Sequence, residues 1–494
     1  MKKNKKRKEG TGRLKSGIDP RVVEIIFGKD INSALKNELN YSIQVDQAHL
    51  IMLSEQKIIP KTNAVRILKA IEQLKRSKYK DLKGKRMSRG LYLLYENHLI
   101  SRLGASVGGS LHTARSRNDM YATIFRLRLR EPFACLTDVM LDLRRILIKM
   151  GKKYVKLIMP LHTQMQPAVP SVFSHYLFAV DKALCRDIDG IIDAYSDADL
   201  CPLGACAIGG TSFPINEKRT AELLGFRGPK DNSIDSVASY DFVLRLMSAM
   251  AIASVTISRL ISDFHMWTTE EYGYFRFPDS LSGSSSIMPQ KANPFILEHI
   301  KGKVSSQIGY LVSAGAAMQK VPFSNAIEVK KEGASHIWHS LDELTQAVIL
   351  TGLVCNGLIP EKDIALKNKR YAFILASAAA DMLVKKTGCS FRDAHSRVGE
   401  AVKSALTSGS EFKKALIDEL GKDLNAKEIE GLNFSSTIKN MRYGGGPGGD
   451  NLSYMAEEAG ESLKRQADSV KSMKKNWTAA SMKLQKKVRS YISK

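Results

Sequence analysis

The chain has 494 residues, more than a single hydrophobic core usually supports, so two or three domains, or one long element shared with partner subunits, are expected. Hydrophobic residues make up 44% of the sequence and charged residues 25%, which are ordinary values for a globular protein. No apolar stretch free of charges approaches the length of a bilayer-spanning helix, and the basic N-terminus lacks the apolar core of a signal peptide. Neither membrane insertion nor secretion is therefore expected.

The net charge of +25 raises the question of a nucleic-acid partner. Many of the basic residues lie in an N-terminal cluster between Lys2 and Lys8 and in a C-terminal series between Lys464 and Arg489. Neither group is interleaved with aromatic residues or accompanied by zinc-finger spacing, so both are interpreted as solvated tails and nucleic-acid binding is not expected. The six cysteines show no CxxC or zinc-ligand spacing, which predicts reduced, buried thiols, no metal site and a cytoplasmic protein.

Helical patterns dominate the chain. Residues 138–155 place apolar side chains at helical spacing, and residues 239–267 run without proline or glycine and are apolar on nearly all sides. The second stretch predicts a helix buried all round in the middle of a bundle, which other subunits can help to build. Alternation with a period of two is scarce, so no extensive sheet is expected. Proline and glycine gather at 159–170, 201–214, 277–294 and 442–451, which predicts loops between long helices.

The first chemical motif is HTARSRND, residues 112–119. Arg115, Arg117 and Asn118 stand beside Ser116 just before a predicted helix, and guanidinium groups bind carboxylates in a bidentate manner while hydroxyl and amide groups complete the contacts. This pattern is typical of a carboxylate cradle. The alternative is a surface turn capped by Asn118 and Asp119.

The second motif is GSSSIMPQKANP, residues 283–294. The serines do not sit in the GxSxG pattern of an acyl-transfer nucleophile. A serine can instead act as a base when an ammonium group and backbone N–H groups stabilise its alkoxide, and Lys291 and the loop backbone are placed to do so. The alternative is a flexible serine linker, but such linkers do not usually continue directly into a helix, here with Glu298 one turn inside it.

Together the two motifs resemble the signatures of the fumarase/aspartase superfamily, and the first is most similar to that of its argininosuccinate lyase branch. Four weaker segments resemble the family in the same order along the chain, at residues 42–50, 202–215, 232–242 and 390–402. The resemblance implies an all-α, fumarase/aspartase-like fold of three domains, whose central long-helix bundle assembles into a homotetrameric core with each active site built from three subunits. It also implies β-elimination of argininosuccinate to arginine and fumarate, with no cofactor, no metal and a small-molecule substrate.

Residue roles follow from the same resemblance. Ser285 matches the catalytic base, and Lys291 and Asn293 match residues that bind or stabilise the intermediate. Glu298 matches the acid that orients a catalytic histidine in the family. The matches to substrate-binding residues are Ser116, Arg117, Asn118, Thr163 and Lys330.

The main departure from the family lies at residues 163–166, which read Thr-Gln-Met-Gln where the family has a histidine after the threonine. That histidine protonates the departing nitrogen, and glutamine has no proton to give near neutral pH. In an extended segment the side chains at i and i+2 share a face, and the flanking prolines favour an extended backbone, so His162 is the candidate replacement for the acid. The alternative is a packing or solvent-exposed histidine.

Three functions stay open on these grounds: argininosuccinate cleavage, release of fumarate from another N-substituted aspartate, or a catalytically inactive homologue with a structural or binding role. Other departures concern substrate recognition, because Tyr92 and Tyr240 stand where the family has a histidine and an arginine.

The chain is expected to begin with a basic disordered tail at residues 1–16 and to end with a basic C-terminal segment at 471–494. Between them we expect an N-terminal helical domain at 17–111, a central helical-bundle domain at 112–372 and a C-terminal helical domain at 373–470.

Overall fold

The computed structural model describes residues 17–27, 31–85, 87, 89–362, 364 and 368–493. The predicted N-terminal tail lies outside the described residues. Long helices dominate the described chain, and its strands are short and occur only in two-stranded pairs. The prediction of an all-α fold without extensive sheet is confirmed.

The helices, in chain order, are α1 (Pro20–Phe27), α2 (Ile31–Asn37), α3 (Leu39–Glu55), α4 (Lys61–Arg76), α5 (Leu91–Leu103), α6 (Ala105–Gly108), α7 (Arg117–Lys153), α8 (Phe173–Tyr195), α9 (Glu217–Leu224), α10 (Ser233–Ala238), α11 (Asp241–Trp267), α12 (Phe295–Met318), α13 (His336–Gly357), α14 (Ala376–Thr387), α15 (Phe391–Ser408), α16 (Phe412–Leu420), α17 (Ala426–Glu430), α18 (Phe434–Asn440) and α19 (Asn451–Ile492). The strands are β1 (Ile158–Thr163), β2 (Gln166–Val172), β3 (Leu200–Cys201), β4 (Gly228–Pro229), β5 (Phe275–Arg276), β6 (Gly283–Ser284), β7 (Ala292–Asn293) and β8 (Ile359–Pro360).

Five long helices, α7, α8, α11, α12 and α13, pack into the central bundle and share the largest hydrophobic core. A second core joins α3, α4 and α5 to α9 and the end of α19, and a third lies among α14, α15 and α16. The predicted domain boundaries stay predictions.

Helix α7 sets the length of the bundle, because its 37 residues form a rod of about 55 Å. A capping box closes its first turn, and Lys152 and Lys153 in the last turn complement the helix dipole. We call the end of the bundle where α7 begins the cradle end. We call the opposite end, where α7 leads into the β1–β2 pair, the hairpin end.

Helix α11 matches the predicted helix closely, but it is not buried all round. Ile252 and Val255 are 63% and 48% exposed, so this face of α11 has no packing partner among the described residues. By length and composition alone, α11 is the one helix among the described residues that could cross a membrane. Half of its most apolar window is buried against the rest of the chain, as in the core helix of a folded domain.

The basic C-terminal series does not form a tail. It lies on α19, a single helix that passes through the predicted boundary at residue 470 without a break and packs against α7, α8 and α9. Arg144 of α7 holds this contact, because its guanidinium group binds both carboxylate oxygens of Asp181 at 2.8 Å and donates to Gln466 of α19 at 2.7 Å. This buried pair and its hydrogen bonds lock α19 onto the bundle.

The cysteines are all free, as predicted, but they are not all buried. Cys201 and Cys355 are buried, whereas Cys135 is exposed on the outer side of α7.

Candidate active site

The Ser116–Asn118 segment lies at the cradle end, at the first turn of α7. Ser116 is the N-cap: its hydroxyl oxygen accepts from the backbone N–H of Asn118 at 3.3 Å, and its own N–H donates to Asp119 at 3.0 Å. The other carboxylate oxygen of Asp119 accepts from the N–H groups of Gly204 and Cys206 at 3.0 and 2.9 Å. Asp119 is fully buried, so it completes the capping box with Ser116 and ties the motif to the 201–214 loop.

Of the two arginines in the motif, only Arg117 faces solvent. The side chain of Arg115 is fully buried and donates to Asp46 at 2.6 Å and to the hydroxyl of Tyr92. The expectation that Arg115 helps to line a carboxylate cradle is therefore wrong. The guanidinium group of Arg115 is already paired inside the protein, so it holds the HTARSRND segment in place. The hydroxyl of Tyr92 accepts one of its hydrogen bonds.

Ala114 directly precedes Arg115 and adopts φ of +57°, a left-handed backbone conformation that residues with a Cβ atom rarely take. We expect Ala114→Gly to raise the free energy of unfolding by about 1 kcal/mol, because glycine adopts this conformation without strain. Urea denaturation followed by circular dichroism measures the change. As a control, Ala134→Gly on α7 removes a methyl group from regular helix and is expected to lower the free energy of unfolding by about 1 kcal/mol. Equal destabilisation by both changes would contradict the assignment of strain.

Lys330 lies at the same end of the bundle as Arg117. It belongs to a π-helical turn, Glu328–Gly333, a rare geometry that often marks functional sites. Its ammonium group donates to Asn325 at 2.9 Å. Burial, and then the nearby cations Lys331 and Arg117, lower the pKa of Lys330. The cradle end thus concentrates positive charge where an anionic ligand would compensate it.

His162 and Thr163 lie at the hairpin end, in β1. The backbone is extended there, as predicted, and β1 pairs with β2 in antiparallel register. Gln164 and Met165 form the connecting turn, with φ of +45° and +62°. A turn with two left-handed residues fits a hairpin twist but strains non-glycine residues, and such strain is found at functional sites. Because Gln164 is in the turn, it does not continue the strand alternation, so the prediction that it shares a face with His162 is wrong.

The ring of His162 is half-buried among aromatic residues. Its Nε2 atom lies 3.5 Å from the hydroxyl of Tyr274, and its ring centroid lies 5.8 Å from that of Tyr272. Burial lowers the pKa of His162, although the carboxylate of Asp263 opposes this effect. The imidazole therefore favours its neutral form.

Ser285 lies between β6 and β7, which pair antiparallel at the base of its loop. Its Oγ atom accepts from the backbone N–H of Met288 at 3.0 Å and from that of Ile287 at 3.4 Å. Two N–H groups aimed at one hydroxyl oxygen favour its negatively charged form, as the sequence predicts. The ammonium group of Lys291 is exposed, and in this loop no hydrogen bond joins it to Ser285 among the described residues.

Asn293 ends β7, and Glu298 follows in the first turn of α12. Glu298 lines an open cleft of about 410 Å³ with Lys303 of the same helix and Glu343 of α13. Lys303 donates to Glu343 at 3.0 Å, which leaves the carboxylate of Glu298 free to meet another group in the cleft. In this chain that group is not His162, which faces the tyrosines.

The predicted site residues form two separate groups within one chain. Ser116, Arg117, Asn118 and Lys330 lie at the cradle end, and the residues at the hairpin end are His162, Thr163, Ser285, Lys291, Asn293 and Glu298. Helix α7 separates the two ends by about 55 Å, and α12, with 24 residues, spans about 36 Å between the Ser285 loop and the segment before Lys330. A single copy of the chain does not bring the two groups into one cavity.

Comparison with known proteins identifies the family. The model of a family described as lyase matches residues 32–309, and the model of the argininosuccinate lyase C-terminal region matches residues 373–438. Argininosuccinate lyase 1 of Shouchella clausii is 33% identical over 85% of this chain and 84% of its own. Argininosuccinate lyase of Methanosarcina mazei is 32% identical over 94% of each chain. The chain belongs to the argininosuccinate lyase family.

A crystal structure of EDDS lyase in complex with formate supports the fold of this argininosuccinate lyase family member. Its TM-score is 0.84 at 27% identity, with 97% of each chain covered. An EDDS lyase variant with bound fumarate matches equally well, with 100% of this chain and 99% of that chain covered. The predictions of a fumarase/aspartase-like fold and of a carbon–nitrogen lyase are thereby confirmed.

Proposed function

We propose that this chain is an argininosuccinate lyase that cleaves argininosuccinate into arginine and fumarate by β-elimination. The observation that carries the proposal is the combination of 32% identity to an argininosuccinate lyase over 94% of the chain with both family motifs intact. Ser285 acts as the base and removes the proton next to a substrate carboxylate. Arg117 and Asn118 hold carboxylates of the substrate, Lys291 and Asn293 stabilise the intermediate, and Thr163 and Lys330 complete the binding site.

The active enzyme is a homotetramer in which each site takes its two groups of residues from different subunits. The separation of the cradle end from the hairpin end supports this, because only a second chain lying antiparallel brings them together. Three adjacent bundle helices also each expose a pair of apolar side chains, Ile252 and Val255, Ile308 and Val312, and Ile349 and Leu353. Such a face is stable when it packs against the same face of another copy.

A second candidate substrate class is favoured by one observation. Gln164 replaces the family's acid, and an EDDS lyase variant with bound fumarate is similar to this chain at 27% identity and a TM-score of 0.84. Release of fumarate from another N-substituted aspartate uses the same base and cradle and differs only in the departing amine. A cytoplasmic location and a place in arginine biosynthesis go with the first candidate.

Following fumarate absorbance with argininosuccinate and then with other N-succinyl amines tests the proposal. Turnover of argininosuccinate at a higher kcat/KM than of the other compounds is the expected result. Faster turnover of another N-succinyl amine would favour the second candidate. No fumarate from any of them would leave an inactive homologue.

His162 is the candidate general acid, and we expect His162→Ala to lower kcat by about 10² to 10⁴ with little change in KM. An acid must be protonated, so its contribution is lost as pH rises through its pKa. Because burial places that pKa below 6.5, kcat of the native enzyme should fall with rising pH at a lower pH than an ordinary histidine would give. The control is His395→Ala, an exposed histidine on α15. Unchanged turnover of His162→Ala would end this assignment.

A further inference from the structure

The positive charge of this chain is concentrated in three short segments. Residues 1–16, 57–85 and 469–494 carry net charges of +7, +8 and +8, which leaves a net charge of +2 for the whole of the rest of the chain. The catalytic core is therefore nearly neutral. The excess charge belongs to segments that contain none of the proposed site residues.

The fold brings two of these segments together, although about 400 positions separate them in sequence. The end of α19 packs on α3 and α4, and the ammonium groups of Lys61 and Lys487 lie 5.6 and 6.0 Å from the ring centroid of Tyr491. Gln485 donates to Gln47 at 3.1 Å and strengthens the same contact. The charge of these two segments therefore lies on a folded surface, and the C-terminal series is not the tail that the sequence predicted.

On α19 the basic residues divide into two sets. One set anchors the helix, because Lys474 binds Asp138 at 2.6 Å, Lys483 binds Glu222, and Lys487 binds Glu55 at 2.9 Å. The other set is exposed and makes no ion pair within the described residues: Lys471, Lys475, Lys486 and Arg489. Helical geometry places this second set within an arc of about 60°, over about 27 Å.

On α4 the outward face is also basic. Arg66, Lys69 and Arg76 are exposed at helical spacing. The acids of this segment have partners of their own, since Glu72 accepts from Gln47 at 2.9 Å and from Lys75 at 2.8 Å, and Asp81 lies 3.8 Å from His98. On α19 the exposed Asp468 lies one turn before Lys471, and no acidic residue follows it along the helix, so the basic row beyond Lys471 has no carboxylate of its own helix beside it.

We propose that the outward faces of α4 and of the C-terminal half of α19 form one basic surface that binds the phosphate backbone of a nucleic-acid duplex. A rigid row of cations suits a polyanion of regular charge spacing, because binding releases condensed counterions and needs no base contacts. A membrane-bound helix would also need an apolar face, and Met482, 69% exposed, is the large apolar side chain in this row. A protein partner would be expected to find aromatic or apolar anchors.

The association proposed above leaves this surface accessible, because α19 covers α7 and α8, whereas the exposed apolar pairs that would join the copies lie on α11, α12 and α13. The proposal is also independent of the reaction, because none of its residues is among the proposed site residues.

The test measures fluorescence anisotropy of a short labelled DNA duplex, and of an RNA duplex of the same sequence, titrated with the full chain at increasing salt. We expect the logarithm of the affinity for either duplex to fall steeply with the logarithm of the salt concentration. Replacing Lys471, Lys475, Lys486 and Arg489 each by Gln should weaken binding about tenfold or more and reduce the slope by about 3 to 4.

The matched control removes the same number of charges from another face, by replacing Lys385, Lys414, Lys422 and Lys427 each by Gln. Binding by the control should stay within about twofold of the native protein, and lyase turnover of both variants should be unchanged. Equal weakening by both variants would show an effect of net charge alone and overturn the proposal. It would also be overturned if neither duplex bound, or if vesicles of anionic lipid bound with the same variant dependence while the duplexes did not.

Discussion

Ser285→Ala is expected to lower kcat for fumarate release by about 10³, within the range of 10² to 10⁴ that a positioned base contributes. Alanine keeps the loop backbone but has no oxygen to take the proton. In the native protein that oxygen accepts from the N–H groups of Met288 and Ile287, which favour the alkoxide that the proposed reaction needs. Since the proposed function assigns the substrate carboxylates to Arg117 and Asn118 at the cradle end, KM should change little.

The chain supplies matched controls for this change on either side of Ser285. Ser284→Ala and Ser286→Ala remove the same hydroxyl group from exposed positions, where among the described residues no backbone N–H group donates to the hydroxyl oxygen. We expect each to keep turnover within about threefold of the native value. A fall in kcat of the same size for all three serines would point to disruption of the loop and not to loss of a base.

Much of this site could be predicted from sequence because its parts are local. The Ser285 loop and the Ser116–Asn118 cap each depend on a few consecutive residues, and the structure adds the two N–H groups and the capping box that explain them. The sequence predicted Asp119 as a cap only within the alternative of a surface turn, although a serine followed three residues later by an acid is the sequence signal of a capping box.

What sequence reasoning missed depends on distant contacts. Arg115 and Arg117 are two positions apart and chemically identical, and only the partner Asp46, 69 residues away, decides that Arg115 turns inward. The π-helical turn around Lys330 has no recognised sequence signal. The folded C-terminal helix did have a sequence signal. Leu484, Val488 and Tyr491 are apolar residues at helical spacing among the lysines, and they are buried in the structure.

Mixing two inactive variants is expected to restore activity. In the proposed homotetramer Arg117→Ala removes the proposed cradle arginine and Ser285→Ala removes the proposed base, but the two residues lie at opposite ends of a bundle about 55 Å long. In a mixed tetramer some sites therefore receive Arg117 from one chain and Ser285 from another. If subunits mix at random in equal amounts, about one quarter of the sites are intact. Fumarate release after the two variants are dissociated, mixed and reassembled measures this fraction.

The control mixes Ser285→Ala with Lys291→Ala. Both changes lie in the same loop, so every loop in the mixed tetramer carries one defect, whichever chains surround it. No site regains both groups, and activity should stay at the level of the unmixed variants. Restoration in this control, or its absence when Arg117→Ala is mixed with Ser285→Ala, would contradict a site shared between chains. In that case Arg117 and Ser285, at opposite ends of α7, could not both act on one substrate, and other residues would have to bind the substrate or remove its proton.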